Sequence, residues 1–256
     1  MRSICLALAF TALVGSFAQA AELRVITTGI VHPTGLRDVT EAFAKKTGVK
    51  VTIVNKDTLS VITDVKGADQ DGDILILPVE HMGDVALAGG IKPGSMTPLG
   101  RLQLGLYVKP GAPHPDISTV PKFVDVLKGA SSVTYNDPVS NSVPDVLLYQ
   151  MFRQPEFKDV HPTKTFGNSV AGLKKGDGDQ NAVSIGLIHQ VHPADGQPYN
   201  DPILVGALPK DLKAQVDMMV AISPKTADEK DAEAFIQFIT GPDMVPVWKN
   251  RGTYRY

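Results

Sequence analysis

From Leu23 onward, short apolar runs alternate with stretches whose apolar residues recur every three or four positions. That is the pattern of strands and amphipathic helices in a mostly parallel α/β sheet. Residues 23–26 read as a first strand. Leu36, Val39 and Phe43 then share one helical face, and Gly48 after Lys45-Lys46 stops that helix at Thr47. Residues 49–54 alternate and are β-branched, a second strand; residues 74–77 are wholly apolar, a strand buried on both faces and therefore central. Pro78 closes it, and a helix over 80–88 ends at Gly89-Gly90. A strand at 104–108 leads into a stretch broken by Pro110, Pro113, Pro115 and Pro121. A second round follows: helix 121–128, strand 132–135, helix 142–153 and strand 183–188. Residues 203–205 and 216–222 read as strands returning toward the first half, before two closing helices, 226–239 and 242–250, parted at Gly241-Pro242.

Two consecutive α/β halves and a returning C-terminal segment predict two lobes joined by crossing hinge strands. Residues 21–104 form the first part of one lobe, 105–206 the other, and 207–256 the return segment and C-terminal helices of the first. Such bilobal proteins close around a ligand by hinge motion.

The first twenty residues change the expected compartment. Arg2 supplies a positive start, residues 4–14 an apolar run and Ala18-Gln19-Ala20 a small-residue end, the features of a secretory signal peptide cleaved before Ala21. The run is well short of the ~20 apolar residues that span a bilayer, and no later segment approaches that length, so a periplasmic protein without membrane insertion is expected. Cys5, the only cysteine, falls inside that leader, which leaves the mature chain without disulfides or thiolate metal ligands. Lys and Arg number 25 against 27 Asp and Glu, for a net charge of −2, which argues against nucleic acid and anionic membrane surfaces as partners.

Four stretches keep a common order along the chain. Gly72-Asp73-Ile74-Leu75-Ile76-Leu77-Pro78 with Met82 and Gly89-Gly90-Ile91 resembles the close of the first lobe in the molybdate-binding family of type II periplasmic binding proteins. Leu106-Tyr107-Val108-Lys109-Pro110-Gly111 resembles that family's hinge strand, and Asn136-Asp137-Pro138 its second-lobe ligand loop. Phe235, Phe238 and Gly241-Pro242 resemble its C-terminal helix pair. The resemblance implies two α/β lobes, no catalysis, no cofactor, and a monomer that delivers a small ligand to the membrane permease of an ABC importer.

In that architecture the ligand meets loops leading from strands into helix N-termini, whose free N–H groups suit anions. Thr28, Gly29 and His32 fall in the first such loop, Asp57 and Thr58 in the second, Asn141 and Ser142 in the second half, and His189 after the strand at 183–188. Each has a plainer reading: Thr28 ends a strand, Gly29 turns the chain, Ser142 caps a helix. Asp57 stands where the family carries an oxyanion-binding serine. A carboxylate ~4 Å from an anion costs about 4 kcal/mol per charge pair at an effective dielectric near 20. Asp57 therefore caps its helix, binds a hydroxyl, amine or cation, or is protonated, and the ligand is an oxyanion or a small polar or organic solute.

His32, His189 and Asp57 together give a metal or cation site as the alternative of the same fold. A secreted enzyme finds no support: there is no Gly-x-Ser-x-Gly, His-Glu-x-x-His or Gly-x-x-x-x-Gly-Lys. The acidic turn Gly176-Asp177-Gly178-Asp179 lacks the remaining ligands of a calcium loop. A protein-interaction module is the other class the sequence leaves open.

Overall fold

The computed structural model describes residues 22–175, 179–188 and 201–255, save the side chains of His32 and Ser140. The expected leader at 1–20, His189 and residues 176–178 of the acidic turn lie outside the described residues. The chain begins β1 (Glu22–Thr27), α1 (Leu36–Thr47), β2 (Lys50–Asn55), α2 (Thr58–Lys66), β3 (Ile74–Pro78) and α3 (Val79–Leu87). β1 pairs in parallel with both β2 and β3, so all three strands present their carboxyl ends at one edge of the sheet.

β4 (Thr97–Val108) is twelve residues long and carries the chain into the second half. There follow α4 (Val120–Gly129), β5 (Ser132–Asn136), α5 (Val143–Met151), β6 (Thr163–Thr165), α6 (Ser169–Lys175) and β7 (Ala182–Leu187). β5 pairs in parallel with β6 and β7. β8 (Leu204–Ala207) and β9 (Gln215–Ile222) bring the chain back, and α7 (Glu229–Thr240), α8 (Val245–Asn250) and β10 (Thr253–Tyr254) end it. The strand order is β2-β1-β3-β9-β4-β7-β5-β6, with β8 and β10 also on β4.

The crossing falls within β4. Its first part, to Gln103, pairs with β9, and from Leu104 onward it pairs with β7, with β8 alongside from Gly105. β8 and β9 make the return crossing, each antiparallel to its part of β4. At the junction a Cβ on Gly105 would stand 2.9 Å from the Gly206 carbonyl oxygen and from side-chain carbons of Ile188 and Leu204. Only a glycine lets the two crossing strands approach that closely.

β4 begins seven residues before the Leu104 expected from the sequence; Leu102 keeps the alternation of Leu104, but the start of the strand does not. Leu99 and Leu102 are both buried, yet three residues apart, since a register shift between Pro98 and Gly100 breaks the period of two. β6 and β10, of three and two residues, are too short to show a period. α7 starts at Glu229 rather than at Thr226 because the Asp228 carboxylate accepts from the Asp231 N–H at 3.0 Å and caps the helix there.

Helices cover both faces of the first half. α1, α7 and α8 lie over Leu23 and Val25, with Phe43 against Phe235 edge-on at 5.1 Å between centroids. α2 and α3 lie over Ile26, Leu75 and Leu77 on the other face, through Val61, Val65, Met82 and Val85. Alternation along β1 and β3 thus assigns each strand residue to one helix layer.

Candidate ligand-binding site

The corners after β1 and β2 lie side by side, because Thr27 pairs with Asn55 and the Lys56 N–H donates to the Thr27 carbonyl at 2.9 Å. Thr27 is committed to the sheet, its hydroxyl donating to the Ile76 carbonyl at 2.9 Å. Thr28 is not: it is 6% exposed and its hydroxyl oxygen is buried without a hydrogen-bond partner. Such an orphaned group costs about 1–3 kcal/mol, so a native protein that keeps one needs a reason. Gly29 is exposed, and a Cβ there would meet open space, so no protein atom demands the glycine. His32 opens a short 3-10 turn, His32–Thr34.

Asp57 adopts the capping role among its three readings. Its carboxylate accepts from the Ser60 N–H at 2.9 Å and from the Ser60 hydroxyl at 2.5 Å, at the N-cap of α2. The Ser60 hydroxyl, then its backbone N–H, holds this exposed carboxyl below its ordinary pKa. The carboxylate therefore stays ionised and is turned onto its own helix start. Thr58, the first residue of α2, is buried.

A third corner of the first half escaped the sequence reading. α3 begins directly where β3 ends, with Pro78 at its N-cap and no side-chain cap. His81, in its first turn, is 6% exposed and its Nδ1 is buried without a partner. Burial lowers the imidazole pKa, against the pull of Glu80 and Asp84, so the ring is neutral at neutral pH. The signal was present in the sequence: Pro78 to His81 is a strand-to-helix corner like the two before it, but a histidine beside Met82 reads as core.

In the second half Asn141 is exposed in a left-handed conformation (φ 54°), and Ser142, half-buried, is the N-cap of α5. Asp145 lies in the first turn of that helix, 8% exposed. Burial pushes its carboxyl up to about 6, with the Ser142 and Asn136 side chains pulling down as hydrogen-bond donors and Asp137 adding repulsion. α5 packs against β7 of its own half and also against β9, whose Met218 pairs with Pro78 at the α3 corner. The second half thus reaches the strand on which the third corner of the first half rests.

A groove of about 780 Å³ lies elsewhere, along the hinge, lined by Arg101, Gln103, Leu208, Lys210, Lys213 and Tyr254. None of the corners above lines it. Arg101 there is bound to Asp217 at 2.7 Å. Of the buried side-chain atoms of the first half without a hydrogen-bond partner, those of Thr28 and His81 lie at the corners and that of Gln70 lies between α2 and β3. Among the described residues no cluster of three or more His, Cys, Asp or Glu is placed to hold a metal ion.

Two α/β halves strung on crossing strands have the fold of the two-lobed type II periplasmic binding proteins. The chain belongs to the bacterial extracellular solute-binding protein family, whose model matches residues 23–253. It is similar to the substrate-binding domain from Clostridium difficile ascribed to a molybdenum ABC transporter (TM-score 0.71, 12% identity, 93% of this chain and 100% of that one). It is also similar to the periplasmic molybdate-binding protein of Azotobacter vinelandii (TM-score 0.68, 17% identity, 91% and 99% covered). An aconitate isomerase from a Pseudomonas species is 24% identical over 238 residues, 90% of this chain and 86% of that protein. The family and fold are those of binding proteins, and among the described residues no helix is long and apolar enough to cross a membrane.

Proposed function

We propose that the protein captures a small anionic solute, foremost one bearing carboxylates, between its two halves in the periplasm and hands it to the permease of an ABC importer. The halves are those expected from the sequence, 21–104 with 207–256 against 105–206, and the chain acts as a monomer after loss of its leader. Ligand meets Thr28, Gly29 and His32, the start of α2 at Asp57 and Thr58, and from the other side Asn141, Ser142 and His189. One observation carries the anionic reading: Asp57 is folded back onto Ser60, while the neighbouring Thr28 hydroxyl is left buried and unbonded. The relative named aconitate isomerase supports a carboxylate within that class, because it matches most of the chain.

A thermal-shift screen of the mature protein tests this, with trans-aconitate, citrate, phosphate, molybdate, divalent cations and amino acids as probes. A true ligand at a hundred times its Kd adds about 2.7 kcal/mol, a rise of several degrees for a chain of this size. Stabilisation by an anion is expected; stabilisation by divalent cations alone favours the metal reading, and no shift with any probe sinks both.

A second reading, an isomerase acting by proton transfer on a carboxylate, is favoured by Asp145, whose carboxyl at about 6 is tuned for accepting a proton near neutrality. Incubating trans-aconitate in D2O separates the two. A binding protein returns it unchanged, whereas an isomerase yields the cis isomer with deuterium incorporated.

A further inference from the structure

We infer that His81 and Thr28 together receive one oxygen of the ligand's carboxylate or other oxyanion group, which makes His81 a ligand-binding residue of the first half. This rests on the anion-capture reading above. Thr28 follows β1 directly, and continuing that strand's alternation places its side chain on the face of Ile26, under α2 and α3. His81 lies on the sheet-facing side of α3 with Met82 and Val85, on that same face. β1 and β3 are parallel neighbours with Thr27 opposite Ile76, so Thr28 is level with Leu77, one residue before the strand's end and the turn into α3. Two side chains, each more than nine-tenths buried, thus leave an oxygen and a ring nitrogen unbonded on one face and at one edge of the sheet. They do not bond each other.

The chemistry of the pair sets the kind of group it takes. The Thr28 hydroxyl can donate a proton and a neutral imidazole can donate from Nδ1 in one tautomer, so each offers a donor to an acceptor at this edge. A carboxylate or phosphate oxygen accepts two or more such bonds and gains from donors that are already desolvated. The adjacent start of α3 has no side-chain cap, so its N–H groups and dipole favour the same charge.

An ordered water in the same place would satisfy the same atoms, and the test separates the two. Titration calorimetry with trans-aconitate, citrate and inorganic phosphate is run on the wild type, His81→Phe, His81→Asn, Thr28→Val and the His81→Phe/Thr28→Val double variant. Where the wild type binds a probe, His81→Phe should weaken it at least about tenfold, and His81→Asn, which keeps a donor near Nδ1, within about fivefold of wild type. Thr28→Val should weaken it severalfold, and the double variant by less than the product of the two, because both hold one oxygen. In the ligand-free state His81→Phe and Thr28→Val should melt at or above the wild-type temperature, since each replaces an orphaned polar group by an apolar one of similar shape.

Unchanged affinity in His81→Phe and Thr28→Val means a bound water only and overturns the inference while leaving anion capture standing. A fall of several degrees in the ligand-free melting temperature of both variants overturns it as well, by showing that the atoms are already satisfied. A wild type that binds none of the three probes and is not stabilised by molybdate either rejects the anion-capture reading itself.

Discussion

Replacing Trp248 by alanine is expected to lower the unfolding free energy by about 3–5 kcal/mol and to weaken ligand capture together with it. Trp248 is fully buried in α8, and its indole N–H donates to the Ile239 carbonyl at 2.8 Å. Its ring lies against Gly35, where a Cβ would stand 2.9 Å from Cε3 and where φ is +116°, so that only glycine fits. Around that contact the C-terminal segment is stapled to the start of α1: Arg251 to Asp38 at 2.7 Å, and the Thr253 hydroxyl to the Thr34 carbonyl at 2.8 Å. The return segment therefore fixes the far end of the loop that begins at Thr28. Alanine leaves a large cavity and an unbonded carbonyl, and lets that loop shift. Chemical denaturation and calorimetry on one preparation check both effects; a variant that loses stability yet binds with wild-type affinity would contradict the link between the C-terminus and the ligand loop.

Asp145→Asn is expected to stabilise the protein at pH 7.5 by up to about 3 kcal/mol and to do nothing of the kind at pH 4. The folded carboxyl titrates at about 6, above its ordinary value of 3.8, so the folded state binds a proton more readily than the unfolded chain. Below about pH 4 both states hold it and there is no penalty. As pH rises through the window from 3.8 to about 6 the unfolded chain ionises first, stability falls, and above 6 the loss is complete. Asparagine keeps the shape without the charge and removes that slope. Urea unfolding of both proteins at pH 4 and 7.5 gives the difference directly, and taking the difference cancels the opposite contribution of His81, whose lowered pKa makes the fold less stable as pH falls below about 6.5. Equal effects at the two pH values would show that Asp145 is not buried in its ionised state.

Alternation made most of this fold legible. The corners after β1 and β2 followed from where Leu23, Val25 and the β-branched residues of 49–54 fall, and Gly48 marked the end of α1. The second crossing was legible in residues 203–205 and 216–222. The start of β4 was not, because the bulge after Pro98 puts Leu99 out of step with Leu102, and neither were β6 and α6, whose apolar residues are too few. Site chemistry was less legible than topology. Whether Asp57 faces ligand or its own helix depends on the Ser60 hydroxyl three residues on, an N-cap geometry that residue type leaves open. His81 was hidden for a related reason: a histidine at a buried helical position looks like packing until its Nδ1 is seen to have no partner.

The account depends on one solute being held by both halves at once, and amide hydrogen exchange with and without saturating trans-aconitate tests that most directly. Slower exchange is expected together at residues 28–31, 58–60 and 79–81 of the first half and at 142–146 of the second, with the hinge groove near Lys210 and Lys213 unchanged. Protection confined to one half, or centred on that groove, would contradict it.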